Sequence, residues 1–191
     1  GNNGSIVGGV TCSTDAVEQD SAAAFDGAGA RVVAPDSPSL RMTTAVTLGA
    51  FVKVQSASFA SKPNLIAKSF NNGYRLRFNT NGTLNLLVGN GTSSPTPFNG
   101  TQVVPLNQWT HVAAVVTVNG GTASVQFYVN GVPDSNIPTA ALAQIKVGSG
   151  ALVLGTRTDS TSATESLQGL LDQVTIHNRA LGANEILQLC Q

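Results

Sequence analysis

From Tyr74 to Phe78 the chain alternates without a break: Tyr74, Leu76 and Phe78 fall on one side, Arg75 and Arg77 on the other. A period of two predicts a strand, here one that places both arginines on a single face. Comparable short apolar runs recur along the chain. Arg31–Ala34, Val46–Val54, Asn64–Ser69, Thr83–Val88, Thr110–Val118, Thr122–Val129, Val147–Leu154 and Leu170–Ile176 all read as strands. Asn-Gly punctuates them seven times, at Asn3, Asn72, Asn81, Asn90, Asn99, Asn119 and Asn130, and four of these lie nine residues apart, from Asn72 to Asn99. Both residues accept the positive φ of a type I′ turn, and nine residues leave room for one strand between turns. The centre therefore predicts a β-meander, and Asn119-Gly120-Gly121 a hairpin between the two strands that flank it. Ser93–Phe98 carries two prolines, which cannot join a ladder interior, and reads as a loop; Pro133–Pro138 reads the same way. Only Ala183–Leu189 has helical character. Eleven or twelve strands without an interior helix predict an all-β antiparallel sandwich or jelly roll.

Length and charge narrow the picture. The 191 residues suit one domain with a sizeable core. Residues 1–24 are small and polar, with acids at Asp15, Glu18 and Asp20, and read as a leader segment that packs onto a domain of residues 25–191. Gly1–Ser5 lacks a signal-peptide pattern and reads as the start of a mature or excised segment. Ten acids balance ten bases, so there is no electrostatic footprint for nucleic acid or an anionic membrane. No apolar run approaches the roughly 20 residues of a membrane-spanning helix. A neutral surface rich in Asn, Thr, Ser and Gly suits an extracellular protein that meets neutral partners such as sugars. Cys12 and Cys190 stand near opposite ends. The first and last strands of a sandwich often lie side by side, so the two thiols are expected to form a disulfide. Such a bridge is worth up to roughly 5 kcal/mol and implies an oxidising compartment.

Several segments together resemble the laminin-G-like, concanavalin-A-like jelly-roll family in its bacterial form. Phe25-Asp26-Gly27 with Arg31-Val32-Val33 is similar to its opening motif and strand. Thr47–Val52 is similar to the next core strand, with Phe51 where the family usually carries Trp. Gln108–Ala113 and Val125–Gly131 resemble the central hairpin. The most specific segment is the tail: Gly169-Leu170-Leu171-Asp172-Gln173-Val174, then Asn178-Arg179-Ala180-Leu181, then Glu185-Ile186. The resemblance covers residues 25–187 and implies a concanavalin-A-like fold. Its members serve as lectins, adhesion modules and a few enzymes, so fold alone assigns no function.

Members of this kind often hold one Ca²⁺, and the resemblance places Asp26 and Asp172 as its carboxylate ligands. The alternative is that Asp26 caps a turn and Asp172 bonds backbone amides. Sugar binding calls for planar polar side chains in a shallow site. The candidates are Asn71, Asn72, Tyr74, Arg75 and Arg77 on one hairpin, with Arg157 and Asp159 on the 156–166 excursion. Phe98 is a candidate stacking surface, whereas Trp109 matches a position that the family buries. Catalysis has little to stand on. Only Glu18, Glu165 and Glu185 are glutamates, none in a paired-carboxylate run, and Asp159 with Glu165 is the one pair on a single loop. His111 and His177 have no carboxylate or cysteine cluster nearby in sequence and read as packed or edge residues. These readings converge on a non-catalytic, lectin-like module at the cell surface or outside the cell, possessing a glycan or an extracellular protein as partner. The alternative is a structural or protein-binding adhesion domain without sugar binding.

Overall fold

The computed structural model describes residues 2–17, 21–55, 59–69, 71–157 and 165–191. The chain begins with β1 (Ser5–Val7), β2 (Thr11–Ser13), β3 (Ala22–Asp26) and β4 (Arg31–Ala34), followed by the long β5 (Ala45–Val54). The turn-rich centre forms β6 (Asn64–Lys68), β7 (Tyr74–Phe78), β8 (Thr83–Val88) and β9 (Thr96–Val103). Next come β10 (Thr110–Asn119), β11 (Thr122–Val129), β12 (Val132–Pro133) and β13 (Thr139–Ala141). The chain closes with β14 (Leu152–Leu154), β15 (Gln168–His177) and the helix α1 (Ala183–Gln188).

Two antiparallel sheets result, one ordered β1-β4-β14-β6-β7-β8-β9, the other β12-β11-β10-β5-β15-β3-β2 with β13 added to β11. The expected meander is the run β6-β7-β8-β9, each strand beside its successor. The first 24 residues contribute to both sheets, β1 as the edge strand beside β4 and β2 beside β3. Between the sheets lies one core, with Leu48, Val52, Leu76, Phe78, Leu86, Val112 and Phe127 among its buried members. A smaller cluster sits outside it, where Leu181 and Ile186 from the α1 region cover Ala113, Val115 and Tyr128.

Turn chemistry explains the register. Asn119 pairs with Thr122, leaving Gly120 and Gly121 as a two-residue loop with φ of 56° and 80°. Two successive positive φ values define the type I′ geometry that matches strand twist. The tail motif is explained by a single hydroxyl: Thr47 Oγ1 donates to the Arg179 carbonyl (2.8 Å) and accepts from the Leu181 amide (3.0 Å). That clamp swings the chain off β15 and seats α1. Glu185 then accepts from the Gly182 amide at 2.9 Å and pairs with Arg179.

Several expectations need correction. Ser93–Phe98 is not wholly a loop, because β9 starts at Thr96 and carries Pro97 opposite Leu87. Proline is tolerated there because β9 is the last strand of its sheet and has one free side. Phe98 is no stacking surface; it is 1% exposed and packed in the core. The fourth Asn-Gly of the nine-residue series lies inside β9, at a register shift against β8, rather than in a turn. The late strand is short, because residues 146–150 bend around Lys68. The Lys68 ammonium is fully buried and donates to the carbonyls of Gly148 (3.0 Å) and Gly150 and to Asp36 (2.7 Å).

The cysteines are not joined either. The termini do approach, since β15 pairs with β3, but the chain then crosses back through α1. Cys190 Sγ ends 3.0 Å from His111 Nδ1 on β10, whereas Cys12 lies on β2. Four strand spacings separate β10 from β2 in the sheet, roughly 19 Å and far beyond the ~7 Å Cα limit for a disulfide. The argument for an oxidising compartment falls with the bridge. Reductant is accordingly expected to leave the thermal midpoint unchanged. A bridge across so long a loop would move it by about 10 °C or more, so a drop of that size on adding dithiothreitol would reinstate the disulfide.

Candidate functional site

Alternation along β7 builds the candidate site. Tyr74, Leu76 and Phe78 point into the core, all fully buried, which turns Arg75 and Arg77 onto the outward face of the seven-stranded sheet. Cross-strand register then brings Asn64 on β6 and Asn85 on β8 beside Arg77, with Asn99 on β9 beside Asn85. Four neighbouring strands thus present planar polar side chains in one row.

The row is tied together by hydrogen bonds. Arg77 Nε donates to Asn85 Oδ1 at 2.8 Å, and Asn85 Nδ2 donates to Asn99 Oδ1 at 2.9 Å and to the Phe98 carbonyl at 2.9 Å. Asn79 Nδ2 also donates to Asn99 Oδ1, at 3.1 Å. Over the other end sits Glu165. Its carboxylate takes Asn64 Nδ2 at 3.1 Å and lies 3.4–3.6 Å from the guanidinium groups of Arg75, Arg77 and Arg157. Asn64 also anchors the Glu165 backbone, its amide donating to the Glu165 carbonyl at 3.0 Å. Glu165 itself has a φ of 64°, a left-handed conformation that non-glycine residues rarely adopt. Burial lowers the pKa of the Arg77 guanidinium; Glu165 opposes the shift and Arg157 adds to it.

The arginines are therefore not the solvated face of a strand. Arg75 is 4% exposed, and the Arg77, Arg157 and Glu165 side chains are only partly open to solvent. Such a surface can exchange hydrogen bonds with a polar, uncharged or weakly charged ligand. Among the described residues it contains no nucleophile–base pair. Asp159, the one carboxylate that the sequence offers beside Glu165, lies outside the described residues.

Other expected site residues fall elsewhere. Tyr74 belongs to the core, not to a ligand platform, and its hydroxyl donates to the Leu40 carbonyl at 3.0 Å. Asn71 and Asn72 lie at the hairpin end beyond Tyr74, each with a buried Oδ1 that has no hydrogen-bond partner. Trp109 is half-buried, its indole N–H held by Asp15 Oδ1 at 2.8 Å. Asp26 and Asp172 do not fit a shared calcium site. Gln168 is the residue opposite Asp26, so Asp172 stands four residues farther along β15, roughly 14 Å away. Each carboxylate is also engaged with backbone: Asp26 Oδ1 accepts from Ala28 N (2.7 Å), while Asp172 accepts from Val17 N (3.0 Å) and Gln173 N (2.8 Å). Among the described residues there is no group of three or more His, Cys, Asp or Glu placed to hold a metal. Of the remaining members of the polar row, Asn64, Asn79 and Asn85 are not singled out by sequence pattern, Asn99 reads there only as a turn residue, and Glu165 only as half of a carboxylate pair. Only the period-two placement of Asn85 on the arginines' face could have pointed to them.

Comparisons with known proteins agree with this architecture. No curated protein sequence matches the chain. Among solved structures it is similar to the receptor-binding domain of botulinum neurotoxin mosaic serotype C/D, with a TM-score of 0.71 at 12% identity, covering 100% of this chain and 46% of that one. It is also similar to a Bacteroides ovatus protein to which carbohydrate binding has been ascribed, with a TM-score of 0.65, 17% identity, and 87% and 46% covered. A SAP-like pentraxin from Limulus polyphemus gives 0.55 at 20% identity, with 88% and 84% covered. The chain thus spans a little under half the length of the first two. A laminin-G family model, described as the concanavalin A-like lectin/glucanases superfamily, matches residues 26–187. With both sheets, the tail clamp and that match in place, the chain belongs to the concanavalin A-like lectin/glucanases superfamily.

Proposed function

We propose that this is a non-catalytic glycan-binding module of a secreted or surface-displayed protein, and that it binds through the outward face of its seven-stranded sheet. One observation carries the reading: Arg77, Asn85, Asn99 and Asn79 form a continuous hydrogen-bonded row, anchored beside Glu165. Side chains fixed by one another lose little entropy when they bind, and planar amide and guanidinium groups match the paired hydroxyls of a sugar. Solved neighbours support the class. One is a receptor-binding domain, another has carbohydrate binding ascribed to it, and a related neurotoxin binding domain is described in complex with SialylT.

The test is a glycan array run with calcium and with EDTA, on the parent protein and on Asn99→Ala, an exposed position that spares the core. Saturable binding is expected to persist in EDTA and to weaken at least tenfold in Asn99→Ala. Loss in EDTA would overturn the calcium-free arrangement. A loss seen in Trp109→Ala instead would move the site to the opposite sheet. Silence on every glycan would favour a protein-binding adhesion domain.

A further inference from the structure

Away from the polar row, the sandwich does not close completely. A cleft of about 530 Å³ opens between the sheets where β4, β14 and the segment before β1 face the second half of β15. Its walls are Val32, Leu152 and Leu154 on one side and Val174 and Ile176 on the other. Its mouth is edged by Asn2, Ser39 and Asn178. His177 also lines it, with a buried Nε2 that has no hydrogen-bond partner; no Asp, Glu, Lys or Arg does so among the described residues.

Two features of the fold keep this space open. The pairing of β15 with β5 shifts register between Asp172 and Thr175, where Gln173 adopts a φ of 45°. That bulge lets Val174 and Ile176 face the gap, while β3 accompanies β15 only from Gln168 to Leu171. The wall opposite is built with small residues at Gly4 and Ala34. Protein interiors elsewhere are packed to crystal-like density, and the apolar walls of an open cleft this large forfeit dispersion contacts and burial. Ligand sites, by contrast, are concave, mostly apolar and roughly 300–1,000 Å³, with a few polar groups that fix orientation.

We propose that this cleft is a second binding site, for an uncharged small molecule with an apolar body and a hydrogen-bonding end. The apolar body lies between Val32, Leu154, Val174 and Ile176, and the polar end meets the amides and hydroxyl at the mouth. With the His177 ring neutral the lining selects against ionised ligands, because an unpaired charge would lose its hydration there without a counter-ion. This site shares no residue with the glycan face, so either can fail without the other.

Fluorescence titration with phenylnaphthylamine, which is neutral, and with its sulfonated analogue supplies the test. The neutral probe is expected to bind at one site per chain and at least tenfold more tightly than the sulfonate. Ser39→Trp, at an exposed mouth position, should weaken it at least tenfold while leaving the thermal midpoint unchanged, and Ile176→Trp should fill the cleft from the inside with the same effect. The parent protein should gain thermal stability with added probe, as any ligand of the native state requires. Equal affinity for the two probes, binding that survives both substitutions, or no saturable binding would each overturn the proposal.

Discussion

Asp134→Ala is expected to destabilise the protein by about 3 kcal/mol, or roughly 6–12 °C in thermal midpoint for a chain of this size. Asp134 is 4% exposed and accepts four hydrogen bonds. Three come from backbone amides: Thr101 N at 2.5 Å, Gln102 N at 3.1 Å and Asn136 N at 3.1 Å. The fourth is the Thr101 hydroxyl at 2.5 Å. Thr101 and Gln102 lie on the free side of β9, so a single carboxylate from the loop after β12 satisfies donors that an edge strand would otherwise leave open. Removing it strands several of those donors at once, and each buried unmade bond is worth more than a made one. Asp134→Asn keeps the shape but loses charge and should fall between. Burial raises the carboxyl's pKa, yet the bonds from Thr101, Asn136 and Gln102 outweigh it and hold the value below the usual range. Because the folded value is depressed, this contribution is intact above about pH 4 and is lost as pH falls through the folded value. Calorimetry on the parent and both variants at neutral pH checks the order, and a loss under 1 kcal/mol in Asp134→Ala would contradict it.

A second large effect is expected on mild acidification. His111 is 2% exposed, stacked edge-on against Phe51 with ring centroids 5.1 Å apart, and burial lowers its pKa from 6.5 to about 4. Between those values the unfolded chain binds a proton at this residue and the folded protein does not. Stability therefore falls as pH drops from 6.5 to 4, by up to about 1.4 kcal/mol per unit and roughly 3 kcal/mol in all, and this contribution flattens below pH 4. The depressed carboxylates Asp36 and Glu185 begin to act only at the bottom of this window, below about pH 5, so the slope from pH 6.5 to 5 belongs to the imidazole. Urea melts across pH 4–7 should show the slope in the parent protein and lose it in His111→Phe. A slope that persists in the variant would assign it to another group.

Both residues show where sequence pattern stops being informative. Period-two alternation and Asn-Gly turns located most strands, because strand and hairpin preferences act over a few neighbouring residues. The same alternation placed Arg75 and Arg77 on one face. It could not reveal that Glu165 covers them, since that contact spans about ninety residues of chain and depends on how the two sheets are wound. Asp134 looked like an ordinary loop residue between two prolines; its value comes from the edge of β9, which it meets only in the fold. His111 sat in a recognisable strand, but the α1 region that buries it arrives from the far end of the chain. Tyr74 and Phe98 misled for the converse reason. An aromatic near a turn reads as exposed until the strand phase is fixed, and Pro97 hid the start of β9.

The pairing of β3 and β5 with β15 also shapes how the chain is made. Leu48 on β5 waits for Ile176 on β15, and Ala24 on β3 for Leu170. The meander and the β10–β11 hairpin need only neighbours already synthesised, so they can form early, whereas the long-range closures must bear their loop entropy at the end. During synthesis one side of β3 therefore remains open for about 140 residues of elongation and one side of β5 for about 110. The nascent chain is most vulnerable to mispairing just before β15 emerges, and the sheet is sealed only when its last strand arrives.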